Sequence, residues 1–136
     1  MRTEQKQKLA QLRHWRVRRK VRGTRERPRM SVRFTNENIY VQLIDDHAGT
    51  TLAAVSTTSK SVPDHDKLAA NVASAKVIGK LAAETALAKG IKTVVFDRSG
   101  ARYHWSKGKG KDGKPVTVLG KLATLAEAAR EAGLKF

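Results

Sequence analysis

Ala82-Ala-Glu-Thr-Ala-Leu-Ala-Lys-Gly-Ile-Lys-Thr-Val-Val-Phe96 is the stretch whose reading decides the fold. Its first half is the end of a helix. Leu68, Val72, Ala75, Gly79, Ala82 and Ala86 recur at three- and four-residue spacing, which predicts a helix over roughly 66–89. Its stripe consists mostly of small residues, the kind that lies close on a sheet. Asp64 and Asp66 fall near the expected start, where negative charge suits the helix dipole. Gly90 after Lys89 is a C-terminal stop. Ile91 to Phe96 is then a short β run, and a strand directly after a long helix suggests a βαβ crossover to a buried parallel strand.

Toward the N-terminus lie the strands such a crossover would join. In Met30 to Thr35 the apolar residues Met30, Val32 and Phe34 alternate with Ser31, Arg33 and Thr35, the pattern of a half-buried strand. Asn36-Glu-Asn38 is turn chemistry, and Ile39 to Ile44 reads as a second strand closing a hairpin. Asp45 to Gly49 is the next turn, and Thr51 to Thr57 a third strand that runs into the polar cluster Ser56 to Ser61. Toward the C-terminus, Asp97 to Gly100 is a turn, in which Asp97 with Arg98 reads as turn chemistry or a local ion pair. Ser106 to Pro115 is a low-complexity Lys/Gly loop expected to be mobile. Gly120 to Ala132 is a last helix with Leu122, Leu125, Ala126 and Ala129 on its apolar face. The predicted fold is α/β: a mixed sheet, made of a three-stranded antiparallel meander plus a strand after a crossover helix, with helices packed on it.

In front of this domain runs a basic N-terminal arm. Residues 1–33 hold 13 Lys/Arg against Glu4 and Glu26, whereas residues 34–106 hold 8 against 7 acids and residues 107–136 hold 7 against 3. The formal charge of +16 therefore sits mainly in the arm, with a second cluster at Lys107, Lys109, Lys111 and Lys114. Guanidinium groups match phosphate oxygens bidentately and stack on bases, so a run this dense points to a polyanion. Leu9, Leu12 and Trp15 form too thin an apolar set to hold a helix alone, so residues 1–22 are expected to order against phosphates. Gly23 ends that segment. Arg27 before Pro28 is pushed toward extended geometry, which suits entry into the first strand. The expected division is an arm over 1–28 and a globular domain over 29–136, with a basic insertion at 105–119.

Other chemistries find little support. The chain has no cysteine, which excludes disulfides and thiol chemistry. No apolar run approaches the roughly 20 residues of a membrane span, and no basic amphipathic helix offers a wide apolar face to a membrane surface. The expectation is a soluble, cytoplasmic protein without a small-molecule substrate. His14, His47, His65 and His104 have no ligand spacing, so no metal or other cofactor is expected. The glycines at 108, 110 and 113 neither follow a strand nor open a helix, so they form no phosphate loop. A metal-dependent nuclease would need Asp45, Asp46, Glu84 and Asp97 to converge, and a DNA-binding protein lacks a helix-turn-helix or zinc pattern. Trp15 and Trp105, amid basic residues, are candidates for base stacking, whereas Tyr40 reads as a sheet-face residue.

Gly90 to His104, with its Phe96-Asp-Arg-Ser-Gly-Ala-Arg-Tyr-His104 run, and the terminus Ala128-Ala-Arg-Glu-Ala-Gly-Leu-Lys-Phe136 together resemble the L18 (uL18) family of bacterial large-subunit ribosomal proteins. Arg29 to Phe34, Ile39 to Ile44, Ser56-Thr57 with Lys60, Asn71, and Ala75 to Leu87 extend the resemblance to nearly the whole chain. It implies a structural, non-enzymatic protein. Such a protein binds 5S rRNA and helps attach it to 23S rRNA in the central protuberance, beside ribosomal protein L5 and other proteins of that region. Carried over, RNA contacts would come from Arg13, Arg16, Arg18, Arg19, Lys20, Arg22, Arg25 and Arg27 of the arm. Arg33, Ser56, Thr57, Lys60, Arg98, Tyr103 and His104 would add contacts from the domain. The family usually passes from Tyr-His through a Gly and a short turn into the last helix. Here 105–119 is inserted, and Lys107, Lys109, Lys111 and Lys114 suggest a further phosphate contact.

Overall fold

The computed structural model describes all 136 residues. Helix α1 (Thr3–Lys20) precedes strands β1 (Arg29–Phe34), β2 (Ile39–Asp45) and β3 (Thr50–Ser56). Helix α2 (Val72–Ala88), strand β4 (Val95–Asp97), strands β5 (Trp105–Lys109) and β6 (Pro115–Leu119), and helix α3 (Lys121–Glu131) follow. The main sheet has the order β3-β2-β1-β4, with β1–β2 and β2–β3 antiparallel and β1–β4 parallel. This is the expected meander with a crossover strand added at its edge.

Alternation divides the sheet into two faces. Met30, Val32, Ile39, Val41, Leu43, Ala53 and Val55 point into the core and are buried against Ile78, Ala82 and Ala86 of α2 and Leu125 of α3. Arg33, Tyr40 and Ser56 are mutual partners across β1, β2 and β3 and occupy the opposite, open face. The chain end locks onto β4. Val94 N–H donates to the Lys135 carbonyl at 3.0 Å, and the Phe136 ring stacks on Phe96 at 5.0 Å between centroids. That pairing explains why the Phe96 segment and the terminal residues belong together.

Helix α2 begins six residues later than the periodicity suggests. Asn71 caps it, its side chain accepting from the Ser74 N–H at 2.7 Å. His65–Lys67 instead winds a separate 3-10 turn, so Asp64 and Asp66 do not face the α2 dipole. The C-terminal stop is as expected. Gly90 takes φ +77°, and Gly90 and Ile91 donate to the carbonyls of Leu87 and Ala86, which satisfies two carbonyls at the helix end.

Gly79 is where α2 meets α3. A Cβ there would collide with the backbone carbonyl of Leu125. Gly79→Ala would gain about 1 kcal/mol of helix propensity, but overpacking against fixed backbone costs up to about 3 kcal/mol. We expect a net loss near 2 kcal/mol by urea denaturation, and a stabilised variant would contradict the close packing.

The segment expected to be a mobile loop is a β-hairpin. Trp105 pairs with Leu119, Lys107 with Thr117 and Lys109 with Pro115. Its turn is built by Gly110-Lys-Asp-Gly113: Gly113 N–H donates to the Gly110 carbonyl at 3.0 Å, and Gly113 takes φ +72°. A left-handed residue after a tight turn is a standard hairpin closure. At the neck, Gly120 N–H donates to the His104 carbonyl at 2.8 Å.

Candidate nucleic-acid interface

The basic arm is not free of the domain. Helix α1 buries none of its own residues, yet its C-terminal end is pinned. Asp46, at the end of β2, accepts from Arg18 Nη2 at 2.9 Å, from Gly23 N–H at 2.8 Å, and from Arg29 Nε and Nη2 at 2.9 and 3.1 Å. Arg29 reaches on to Asp97 of β4 at 2.8 Å. One guanidinium thus bridges the carboxylates of the turn after β2 and of strand β4, and one carboxylate holds the arm. The Arg29 and Asp97 side chains are only 6% and 3% exposed, against 33% for Arg18. Gly23 sits buried in the same junction, where a Cβ would run into Arg29 and the Ile44 carbonyl.

Of the two readings of Asp97, turn chemistry holds, since Asp97 accepts from Ser99 N–H at 3.0 Å. Its ion pair is with Arg29 rather than with its neighbour Arg98, because β4 lies beside β1 and brings the two side chains together. Arg18 is engaged with Asp46, whereas Arg13, Arg16, Arg19, Lys20, Arg22, Arg25 and Arg27 stay exposed. Arg27 additionally leans on the Val94 carbonyl at 3.4 Å. The four carboxylates of the nuclease hypothesis do not come together. Asp45 accepts from His47 and Ala48 N–H in its own turn, Asp46 and Asp97 are held by Arg29, and Glu84 faces solvent beside Lys80.

The Arg29 hydrogen bond, helped by the Gly23 N–H and the Arg29 and Arg18 charges, outweighs burial and holds the Asp46 carboxyl below its ordinary range. For Arg29, burial opposes the charge, but Asp46 and Asp97 more than offset it and raise its pKa. The sign for Asp46 follows from a depressed pKa. Its contribution is present above the unfolded value, near 4, and is lost as pH falls through the lower folded value. Arg29, with its raised value, stays charged throughout this range. Stability to urea should therefore decline below about pH 4, and Asp46→Asn should flatten that decline. Equal acid sensitivity in the two chains would contradict the assignment.

The remaining candidates fall into three places. On the open sheet face, Arg33, Tyr40 and Ser56 form one cross-strand row, with Tyr40 36% exposed. Lys60 is exposed in the loop after β3. Thr57 is 2% exposed, its hydroxyl accepting from Ile39 N–H at 3.1 Å and donating to Asn38 Oδ1 at 2.9 Å, which closes the end of the β2–β3 pair. After β4, Arg98 and His104 are exposed. Tyr103 is half-engaged, its hydroxyl donating to Glu127 of α3 at 2.9 Å and accepting from Arg130 at 3.3 Å. The third place is the hairpin, where Lys107, Lys109, Lys111 and Lys114 are all exposed.

Trp15, Arg18 and Arg19 follow one face of α1 and, with Arg22 beyond its end, line a cleft against Asp46 and His47. Asp46 is the residue sequence reasoning missed as an organiser. The available signal was an acid in a strand-end turn, opposite an arm otherwise almost free of acids.

Comparison with known proteins gives these surfaces a context. The family described as ribosomal L18 of archaea, bacteria, mitochondria and chloroplast matches residues 4–109, ending at the last residue of β5. The large ribosomal subunit protein uL18 of Petrotoga mobilis is 47% identical over 131 residues, covering 96% of this chain and 95% of that protein. That of Alkaliphilus oremlandii is 48% identical over 124 residues, covering 91% and 89%. That of Lactobacillus acidophilus is 49% identical over 131 residues, covering 96% and 95%. A match over most of the chain by every measure places this protein in the ribosomal L18 (uL18) family, as a structural, non-enzymatic constituent of the large ribosomal subunit.

Proposed function

We propose that the chain binds 5S rRNA and helps attach it to 23S rRNA in the central protuberance, beside ribosomal protein L5. The observation that carries this reading is the junction at Asp46. It fixes a helix with exposed Arg13, Arg16, Arg19 and Lys20 against a domain whose open face presents Arg33, Tyr40 and Ser56. Residues 1–28 act as the RNA-binding arm and residues 29–136 as the 5S rRNA-binding domain. The arm supplies affinity through phosphate contacts and counterion release, which carry no sequence information. The domain, whose residues 34–106 carry 8 Lys/Arg against 7 acids, supplies discrimination by shape, since duplex RNA offers mainly phosphates and 2′-hydroxyls. No helix is long and apolar enough to cross a membrane.

A titration at about 0.15 M salt, where exposed charges are screened beyond roughly 8 Å, separates this reading from sequence-blind polyanion or DNA binding. We expect 5S rRNA to bind at least about 100-fold more tightly than duplex DNA of the same length. Equal affinities would contradict the proposal.

A further inference from the structure

The β5–β6 hairpin has two unlike faces. Partners in an antiparallel pair lie on the same side, so Trp105 with Leu119, Lys107 with Thr117 and Lys109 with Pro115 share one face. Ser106 with Val118 and Gly108 with Val116 share the other. The first face carries an indole that is 54% exposed and two ammonium groups at alternate positions behind it, with no acid. Asp112, the hairpin's one carboxylate, stands in the turn between Lys111 and Lys114. Residues two apart on a strand are about 6–7 Å apart, so Lys107 and Lys109 can meet separate phosphates while the indole meets a base. A two-stranded hairpin is also marginally stable alone, and this one belongs to no larger sheet. A partner that covers it would stabilise it.

We propose that the Trp105, Lys107 and Lys109 face is a second RNA-binding surface, which stacks an unpaired base on the indole and places the two lysines on neighbouring phosphates. The partner is single-stranded or looped RNA by charge and by the sequence tolerance of base–aromatic stacking. This rests on the RNA-binding reading above but adds a site separate from the arm and the open sheet face.

The chain has two tryptophans, Trp15 and Trp105, so full-length protein carrying Trp15→Phe reports on Trp105 alone. Titration with a short oligouridylate at low salt should quench its emission. Lys107→Gln with Lys109→Gln in that background should weaken the quenching about 5–10-fold and lower the salt slope by about 1.4, or 0.7 per lost contact on a single strand. Unchanged Trp105 emission while labelled oligouridylate is visibly bound would overturn the proposal. So would quenching insensitive to the two lysines. A silent Trp105 combined with loss of subunit incorporation on Val118→Asp would assign the hairpin to a protein neighbour and likewise overturn it. The 5S rRNA affinity of the unaltered chain, measured separately by mobility shift, keeps the two readings apart. A chain that prefers 5S rRNA but leaves Trp105 silent loses only this site. A quenched Trp105 without 5S preference loses only the proposed function.

Discussion

Asp46→Ala is expected to destabilise the chain by about 3 kcal/mol, the lower part of the range for breaking a buried, hydrogen-bonded ion pair. The lower part applies because Arg29 keeps Asp97 as a partner. A surface ion pair would cost no more than about 1 kcal/mol, and the Arg18 link alone, partly exposed, belongs in that class. The difference comes from Arg29, whose guanidinium is nearly buried and would lose two hydrogen bonds, and from the buried Gly23, whose N–H would lose its acceptor. Urea denaturation measures the loss, and a value under about 1 kcal/mol would contradict a shared buried network. The same substitution removes the side-chain hydrogen bond from Arg18 that holds α1 to β2. Amide exchange over Thr3–Lys20 should then accelerate while exchange in β1 and β2 rises only by the global loss of stability.

Replacing Arg13, Arg16, Arg19 and Lys20 together by Gln should reduce 5S rRNA affinity by roughly 100-fold or more at about 0.15 M salt. These four are exposed and make no ion pair within the chain, so their removal should leave the fold and the Asp46 junction intact. Each phosphate contact adds about 0.7–0.9 to the slope of log affinity against log salt, so the slope should fall by about 3. Filter binding over a salt series reads both quantities. A large loss of affinity with an unchanged slope would mean that the side chains act by something other than phosphate neutralisation.

The sheet was legible because its signals are local. Alternation in Met30 to Phe34 and in Ile39 to Leu43 names the buried face directly. The helix–Gly90–strand order carries the parallel crossover to β1. The start of α2 was misplaced because Leu68 keeps the apolar period, while Asn71, a capping side chain, decides where helical hydrogen bonds begin. The hairpin was hidden by its composition. Lys and Gly weaken a strand pattern, and the Asp112-Gly113 turn followed by Pro115-Val-Thr-Val-Leu119 is a hairpin signal that the charge run masked. Arg29, Asp46 and Asp97 are far apart in sequence, so no spacing announces that they meet. For the interface, the arm's exposed arginines were readable from charge alone. The burial of Thr57 and the pairing of Arg18 with Asp46 were not readable, because both depend on tertiary contacts.

Dividing the work between a sequence-blind arm and a discriminating domain makes one ratio decisive. The affinity for 5S rRNA divided by that for equal-length duplex DNA, at one salt concentration, should be the same within about threefold for the unaltered chain and for the chain with Arg13, Arg16, Arg19 and Lys20 replaced by Gln, because phosphate contacts add to both affinities alike. Both affinities should fall together. A ratio that collapses toward one in the substituted chain would place the discrimination in the arm and contradict the account.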